Sequence, residues 1–196
     1  MASSNVSQFL STIGQGVKPN MFLINIQFPS QITGGKDINL TNLLCKSAAL
    51  PGSNLGVIEV PFRGRTVKIA GDRTFDTWTA TFFNDKDFKL RSYFEEWANS
   101  INTHEGNTAP LFRPNNSEGY MADLQVDQLE KDESEEGAIL RRYILRHCFP
   151  TNVSQIDLAY DSNDQIEEFT VEWQYSYFTA EAPTGSRGEV SSIPVV

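Results

Sequence analysis

The sequence predicts a mainly β protein, an antiparallel two-sheet sandwich or barrel with one flanking α-helix at about residues 87–101. Three observations lead there. Apolar and polar residues alternate over many short stretches, turn residues recur between those stretches at close spacing, and one segment alone changes to a helical period. The 196 residues are 39% hydrophobic and 21% charged, which suits a folded domain. A chain of this length buries roughly 70% of its unfolded surface, so its core needs no disulfide or metal.

Residues 1–18 read as an arm or short helix, rich in Ser, Gln and Gly around Phe9, Leu10 and Ile13; residues 19–180 form the β domain and 181–196 a tail of linker composition. Residues 21–28 alternate, with Phe22, Ile24, Ile26 and Phe28 on one face. Residues 29–37 carry turn chemistry, and a second strand is expected over 40–48. Residues 50–66 make a long excursion between two strands, extended at 57–62 and again from 66 to 69, around Arg63-Gly64-Arg65. Residues 74–83 are dense in Thr and aromatics, as pleated half-buried surfaces are. Over 87–101, Leu90, Phe94, Trp97 and Ile101 recur at helical spacing, with Asp85 or Asp87 as the N-cap.

A polar loop fills 102–119, with Leu111 and Phe112 as an anchor. Residues 120–149 read as one long hairpin with an acidic tip at 130–137, and Tyr120, Ala122, Leu124 and Val126 share a face. A short strand is expected at 156–160. Residues 166–178 have the cleanest period in the chain: Phe169, Val171, Trp173, Tyr175 and Tyr177 face one way, Glu168, Thr170, Glu172, Gln174 and Ser176 the other.

Acidic residues number 25 against 16 basic ones, a formal charge of −9, which is the opposite of a nucleic-acid binder's footprint. No apolar window approaches the ~18 residues of a membrane span, and residues 1–10 lack a secretory pattern, so the chain is expected to stay in a cytoplasm. Cys45 and Cys148 lie in strand-like segments without metal spacing and read as reduced, packed thiols. His104 and His147 have no nucleophile at a catalytic spacing, carboxylate pairs such as Asp157 with Asp161 are no more than chance in so acidic a chain, and no phosphate loop occurs. No catalytic, cofactor-binding or metal-binding residue is nominated, and no cofactor is expected. The acidic strand faces, Asp123 with Asp127 and Glu168 with Glu172, are either simply solvated or line one shared surface whose negative potential is used.

One stretch is more specific. Residues 70–79, AGDRTFDTWT, lead into a strand ending at Asn84-Asp85, and this segment resembles the tail tube proteins of contractile-tailed bacteriophages. Pro19-Asn20-Met21-Phe22, Cys45-Lys46, Ala48-Ala49-Leu50-Pro51 and Phe149-Pro150-Thr151-Asn152 fall in the order that family shows. The resemblance covers about residues 18–178 and departs at 29–39, at 102–119 and after 180. It implies a subunit of hexameric rings that stack into a hollow tube inside a contractile sheath, with strands of six subunits joined into one inner β-barrel. It also implies residence in the virion tail after assembly in the host cytoplasm, with sheath, baseplate and tail-terminator or tape-measure proteins as partners. DNA is then a transient cargo of the lumen; neither a small-molecule substrate nor membrane insertion is expected.

Under that resemblance, Asp123, Asp127, Glu168 and Glu172 become candidates to face the lumen, where acid would let a polyanion slide. Arg63 and Arg65 sit on the excursion, which is either an inter-ring element or an ordinary exposed loop. Asp72 and Arg73 could pair locally beside Gly71, which would then need a special dihedral, or Arg73 could reach an acidic group of a neighbouring subunit. A baseplate tube initiator of the same fold is the nearest alternative, and a monomeric β-sandwich binding module, for glycans for instance, is the alternative from another class.

Overall fold

The computed structural model describes residues 2–14, 16–29, 32, 39–110, 119–130 and 139–181. Their order is α1 (Ala2–Ile13), β1 (Phe22–Ile26), α2 (Asn39–Leu43), β2 (Cys45–Ala48), β3 (Asn54–Phe62), β4 (Arg65–Thr74), β5 (Trp78–Phe83), α3 (Lys89–Ile101), β6 (Ala122–Leu129), β7 (Ile139–Val153), β8 (Glu168–Gln174) and β9 (Tyr177–Glu181). The protein is mainly antiparallel β with few helices, as the alternation requires. The two expected sheets are the halves of one seven-stranded sheet, ordered β1-β6-β7-β8-β5-β2 with β9 also on β7.

β7 joins the halves. Its first part pairs with β6 and β9, and its last residues pair with β8. Register shifts near Ala122 and at Pro150 accompany the change of partner, and His147 between them takes a positive φ of 58°, so the strand is bulged where it passes from one half to the other. Both halves turn apolar faces to one core: Ile24, Ile26, Leu124, Val126 and Leu145 from the first, Trp78, Phe82, Phe169, Val171 and Trp173 from the second. The faces read from alternation on β1, β6 and β8 are those that pack.

α3 closes this core. Leu90, Phe94 and Trp97 are buried at the expected helical spacing, Phe94 lies 5.4 Å from Phe82 and 5.6 Å from Trp173 between ring centres, and Trp97 donates its indole N–H to the Tyr120 carbonyl at 2.7 Å. The Asp85 carboxylate accepts the N–H groups of Lys89 and Leu90 at 3.1 and 3.2 Å, so Asp85 satisfies the helix start from outside the N-cap position, which Phe88 occupies.

Four expectations are corrected. Residues 40–48 are not one strand: α2 precedes β2, with Leu40 and Leu44 four apart on a helical turn and Thr41 fully buried. The stretch 156–160 is not a strand, and its alternating Leu158 and Tyr160 point into solvent. Residues 166–178 form two strands, because the sheet bends at Tyr175-Ser176; the Ser176 N–H still bonds the Arg146 carbonyl at 3.0 Å, so the ladder along β7 continues through the break. Among the described residues three helices stand where one flanking helix was expected: α2 was not foreseen, and α1, exposed throughout its described side chains, makes residues 2–13 the short helix and not the arm. The acidic tip (131–138), the 111–118 part of the long loop and residues 182–196 lie outside the described residues.

A detached hairpin and an ion-paired sheet face as the candidate assembly site

β3 and β4 form a separate two-stranded sheet that leaves the body of the protein. The sequence makes it in three places. Arg63 and Gly64 both have positive φ, 47° and 79°, and connect the directly paired Phe62 and Arg65, the geometry of a tight two-residue hairpin turn. Near the base, Gly56 and Gly71 face each other across a register shift. A Cβ on Gly71 would lie 3.2 Å from the Gly56 carbonyl carbon and oxygen, and one on Gly56 would lie 3.1 Å from the Asp72 carbonyl oxygen. Gly71 is thus explained by close backbone approach and not by an unusual dihedral.

The third place is the exit. Phe75 packs on Tyr175 and Phe178, and Trp78 on Trp173. The Trp78 indole donates to the Ala49 carbonyl at 2.6 Å, the Tyr175 hydroxyl to the Gly52 carbonyl at 3.1 Å, and Asn54 Nδ2 to Asp76 at 2.6 Å. The AGDRTFDTWT segment is therefore half hairpin and half anchor. Its first residues belong to the projecting strand, and its aromatics root that strand in the core.

Beyond this root the hairpin holds Leu55, Val57, Ile58, Val60, Phe62, Val67 and Ile69 in solvent, on both faces. An isolated hairpin is marginal in water, and monomeric proteins rarely display so much contiguous apolar surface. Arg63, Arg65, Asp72 and Arg73 all lie on this element. Arg63 stacks over the Phe62 ring at 5.3 Å, and Arg73 reaches Ser53 Oγ at 3.4 Å; no Asp72–Arg73 ion pair is present among the described residues.

The four acidic candidates divide between the halves of the large sheet. Asp123 and Asp127 lie on the solvent side of β6, Glu168 and Glu172 on the solvent side of β8, so the common core separates the pairs. Asp127 is buried, and its carboxylate accepts two bonds from Arg142, from Nε at 3.0 Å and Nη2 at 3.1 Å, with Gln125 adding a third at 2.8 Å. The carboxylate in turn raises the Arg142 pKa, chiefly through this hydrogen bonding. Asp123 accepts Arg146 Nη1 at 2.5 Å and the N–H of His147 at the bulge at 3.2 Å. Glu168 is bound by Lys46 at 2.6 Å, while Glu172 has no ion-pair partner among the described residues. Arg142 and Arg146 escape a reading of β6 alone. A hairpin folded about the 130–137 tip carries the signal for them, since it brings the arginines of its second strand opposite the acids of its first.

Burial pushes the Cys45 thiol up to about 11 and raises that of Cys148 further, so both thiols are held protonated. His147 stands edge-on to Tyr177, and the described residues contain no cluster of three or more His, Cys, Asp or Glu able to hold a metal. No described helix is long and apolar enough to cross a membrane.

Comparison with known proteins gives the same direction. The family model for phage tail tube protein matches residues 17–181. The tail tube protein gp19 of Enterobacteria phage T4 is 32% identical over 165 residues, covering 84% of this chain and 92% of the relative. The tail tube protein of Serratia phage KSP90 is 27% identical over 176 residues, covering 89% and 95%. A chain of the sheath-tube complex of an extracellular contractile injection system shares the fold, with a TM-score of 0.59, 15% identity and coverage of 88% of this chain and 97% of that one.

Proposed function

The chain belongs to the phage tail tube protein family, a structural and not an enzymatic family of the virion tail, and from that premise we propose that it is the repeating subunit of a hollow tube. Six copies close a ring, rings stack within a contractile sheath, and viral DNA passes along the lumen. Assembly takes place in the host cytoplasm, and the sheath, baseplate and terminator are the partners at the outer wall and ends.

The β3–β4 hairpin carries this reading, because its apolar faces need a cover that the described residues of the subunit do not provide. A neighbouring copy in the ring or in the next ring supplies it. The half formed by β1, β6, β7 and β9 supports ring closure. Its end strands β1 and β9 run in opposite directions, so β9 of one copy meets β1 of the next as an antiparallel pair, and this half of the sheet has no free edge in the ring. Stacking of identical rings is a heterologous contact that does not close, which makes a filament. The solvent face of this half then lines the lumen, giving Asp123 and Asp127 to the inner wall and Glu168 and Glu172 to the outer one. Arg63, Arg65, Asp72 and Arg73 serve contacts between subunits.

Negative-stain microscopy of the purified protein tests the proposal. Rings and hollow filaments that lengthen with concentration are expected. Rings that never lengthen would favour a tube initiator, and a monomer at all concentrations would exclude both.

A further inference from the structure

Taking the solvent face of the β1–β6–β7–β9 half as the lumen wall, as proposed above, we infer that Arg142 and Arg146 are locked cations: Asp127 and Asp123 hold their guanidinium groups, so the wall presents arginines that cannot grip a phosphate backbone. The order of exposure carries this. In each pair the arginine side chain is 36% exposed, whereas the Asp127 side chain is 5% and the Asp123 side chain 19% exposed. The acids lie beneath the bases. A molecule that touches this face at either pair meets the guanidinium before the acid that holds it, and the exposed Glu181, opposite Arg142 on β9, adds a further negative charge beside the first pair.

An arginine fork fits carboxylate and phosphate equally well, so an unpaired arginine in a lumen would hold DNA. Here the fork of Arg142 is filled by both Asp127 oxygens, and Arg146 is directed to an acid that the bulge N–H of His147 also fixes. A phosphate could engage Arg142 only by displacing Asp127 and leaving a buried carboxylate uncompensated. A paired cation also brings little counterion exchange, which removes the main driving force for binding a duplex. Pairing cancels the charge of Asp123 and Asp127 at this face, so sliding is achieved with less mutual repulsion than in a ring in which those carboxylates stood bare.

The assembled protein is mixed at low salt with a fluorescent linear duplex and, separately, with a covalently closed circular duplex that cannot thread a lumen, and DNA sedimenting with the protein is measured. The unmodified protein is expected to leave both in solution. Asp123→Asn and Asp127→Asn each free one arginine per protomer and are expected to bind the linear duplex at least about tenfold more tightly, with the gain lost as salt rises. Asp127→Asn combined with Arg142→Gln returns to the unmodified level. Asp123, the less buried acid, gives a variant that does not depend on tolerance of change at Asp127. Assembled Asp123→Asn protein that binds linear DNA no better than the unmodified protein would overturn the inference, as would unmodified protein that binds DNA and loses it on Arg142→Gln. A gain shared equally by the closed circle supports the locking and removes instead the assignment of this face to the lumen.

Discussion

Gly71 and Gly56 show how much of the hairpin depends on two missing side chains. A valine at Gly71 would bring its Cβ to 3.2 Å from the Gly56 backbone and 3.3 Å from Ile58 Cγ1. Gly71→Val is expected to destabilise the hairpin by about 1–3 kcal/mol, seen as faster hydrogen exchange of the β3 and β4 amides with little change in those of β8. At the start of α3, Asp85→Ala removes the acceptor of two backbone N–H groups and should lower stability by ~1 kcal/mol in a urea titration. For Cys45, the folded chain keeps a proton that an unfolded thiol gives up near pH 9. Its contribution to stability is therefore whole below about pH 8.5 and declines as pH rises toward 11, and the thiol should resist iodoacetamide in the folded protein while reacting after unfolding. At this scale the sequence is legible where one residue acts on its near neighbours, as Asp85 does. The reason for Gly71 lies on another strand and could not be read from its own surroundings.

The elements with a strong period, β1, β6, β8 and α3, could be read directly because one face of each is buried against a single core. Where a segment belongs to two environments, its pattern misleads. The face read over 166–178 holds only as far as Tyr175: past the bend Tyr177 lies opposite Arg146 on the solvent side, and Phe178, opposite the buried Leu145, takes over the core. The alternation over 156–160 touches the core only at Ile156, while Leu158 and Tyr160 stand in solvent. The hairpin was only partly visible: its turn at Arg63-Gly64 stood out, but its length to Thr74 did not, because apolar residues on both faces of β3 and β4 resemble buried strands. Its exposure is the basis of a further prediction. Ile58 and Ile69 are directly paired and exposed, and Ile58→Thr with Ile69→Thr keeps strand-favouring side chains while removing apolar surface. Protomer stability should change by no more than about 0.5 kcal/mol, whereas filament formation, followed by sedimentation and microscopy, should be lost.

For the whole molecule, the charge of −9 is set against assembly. Six copies would carry ~−54 in one ring, so added salt should screen ring-to-ring repulsion and lengthen filaments; filaments that shorten steadily with salt would show instead that ion pairs dominate the stacking contact. The internal pair Asp127–Arg142 is spared most of this screening because its acid is buried, and Asp123–Arg146, with a partly buried acid, is spared less. β7 has a mechanical consequence for the same assembly. Two sheets that only pack face to face can slip past each other when pushed along their strands. Here one covalent strand of 15 residues runs through both halves, hydrogen-bonded on each side of its bend. A thrust delivered to one half of the sheet reaches the other through a continuous backbone, and the halves cannot delaminate unless that backbone is pulled out of its ladders.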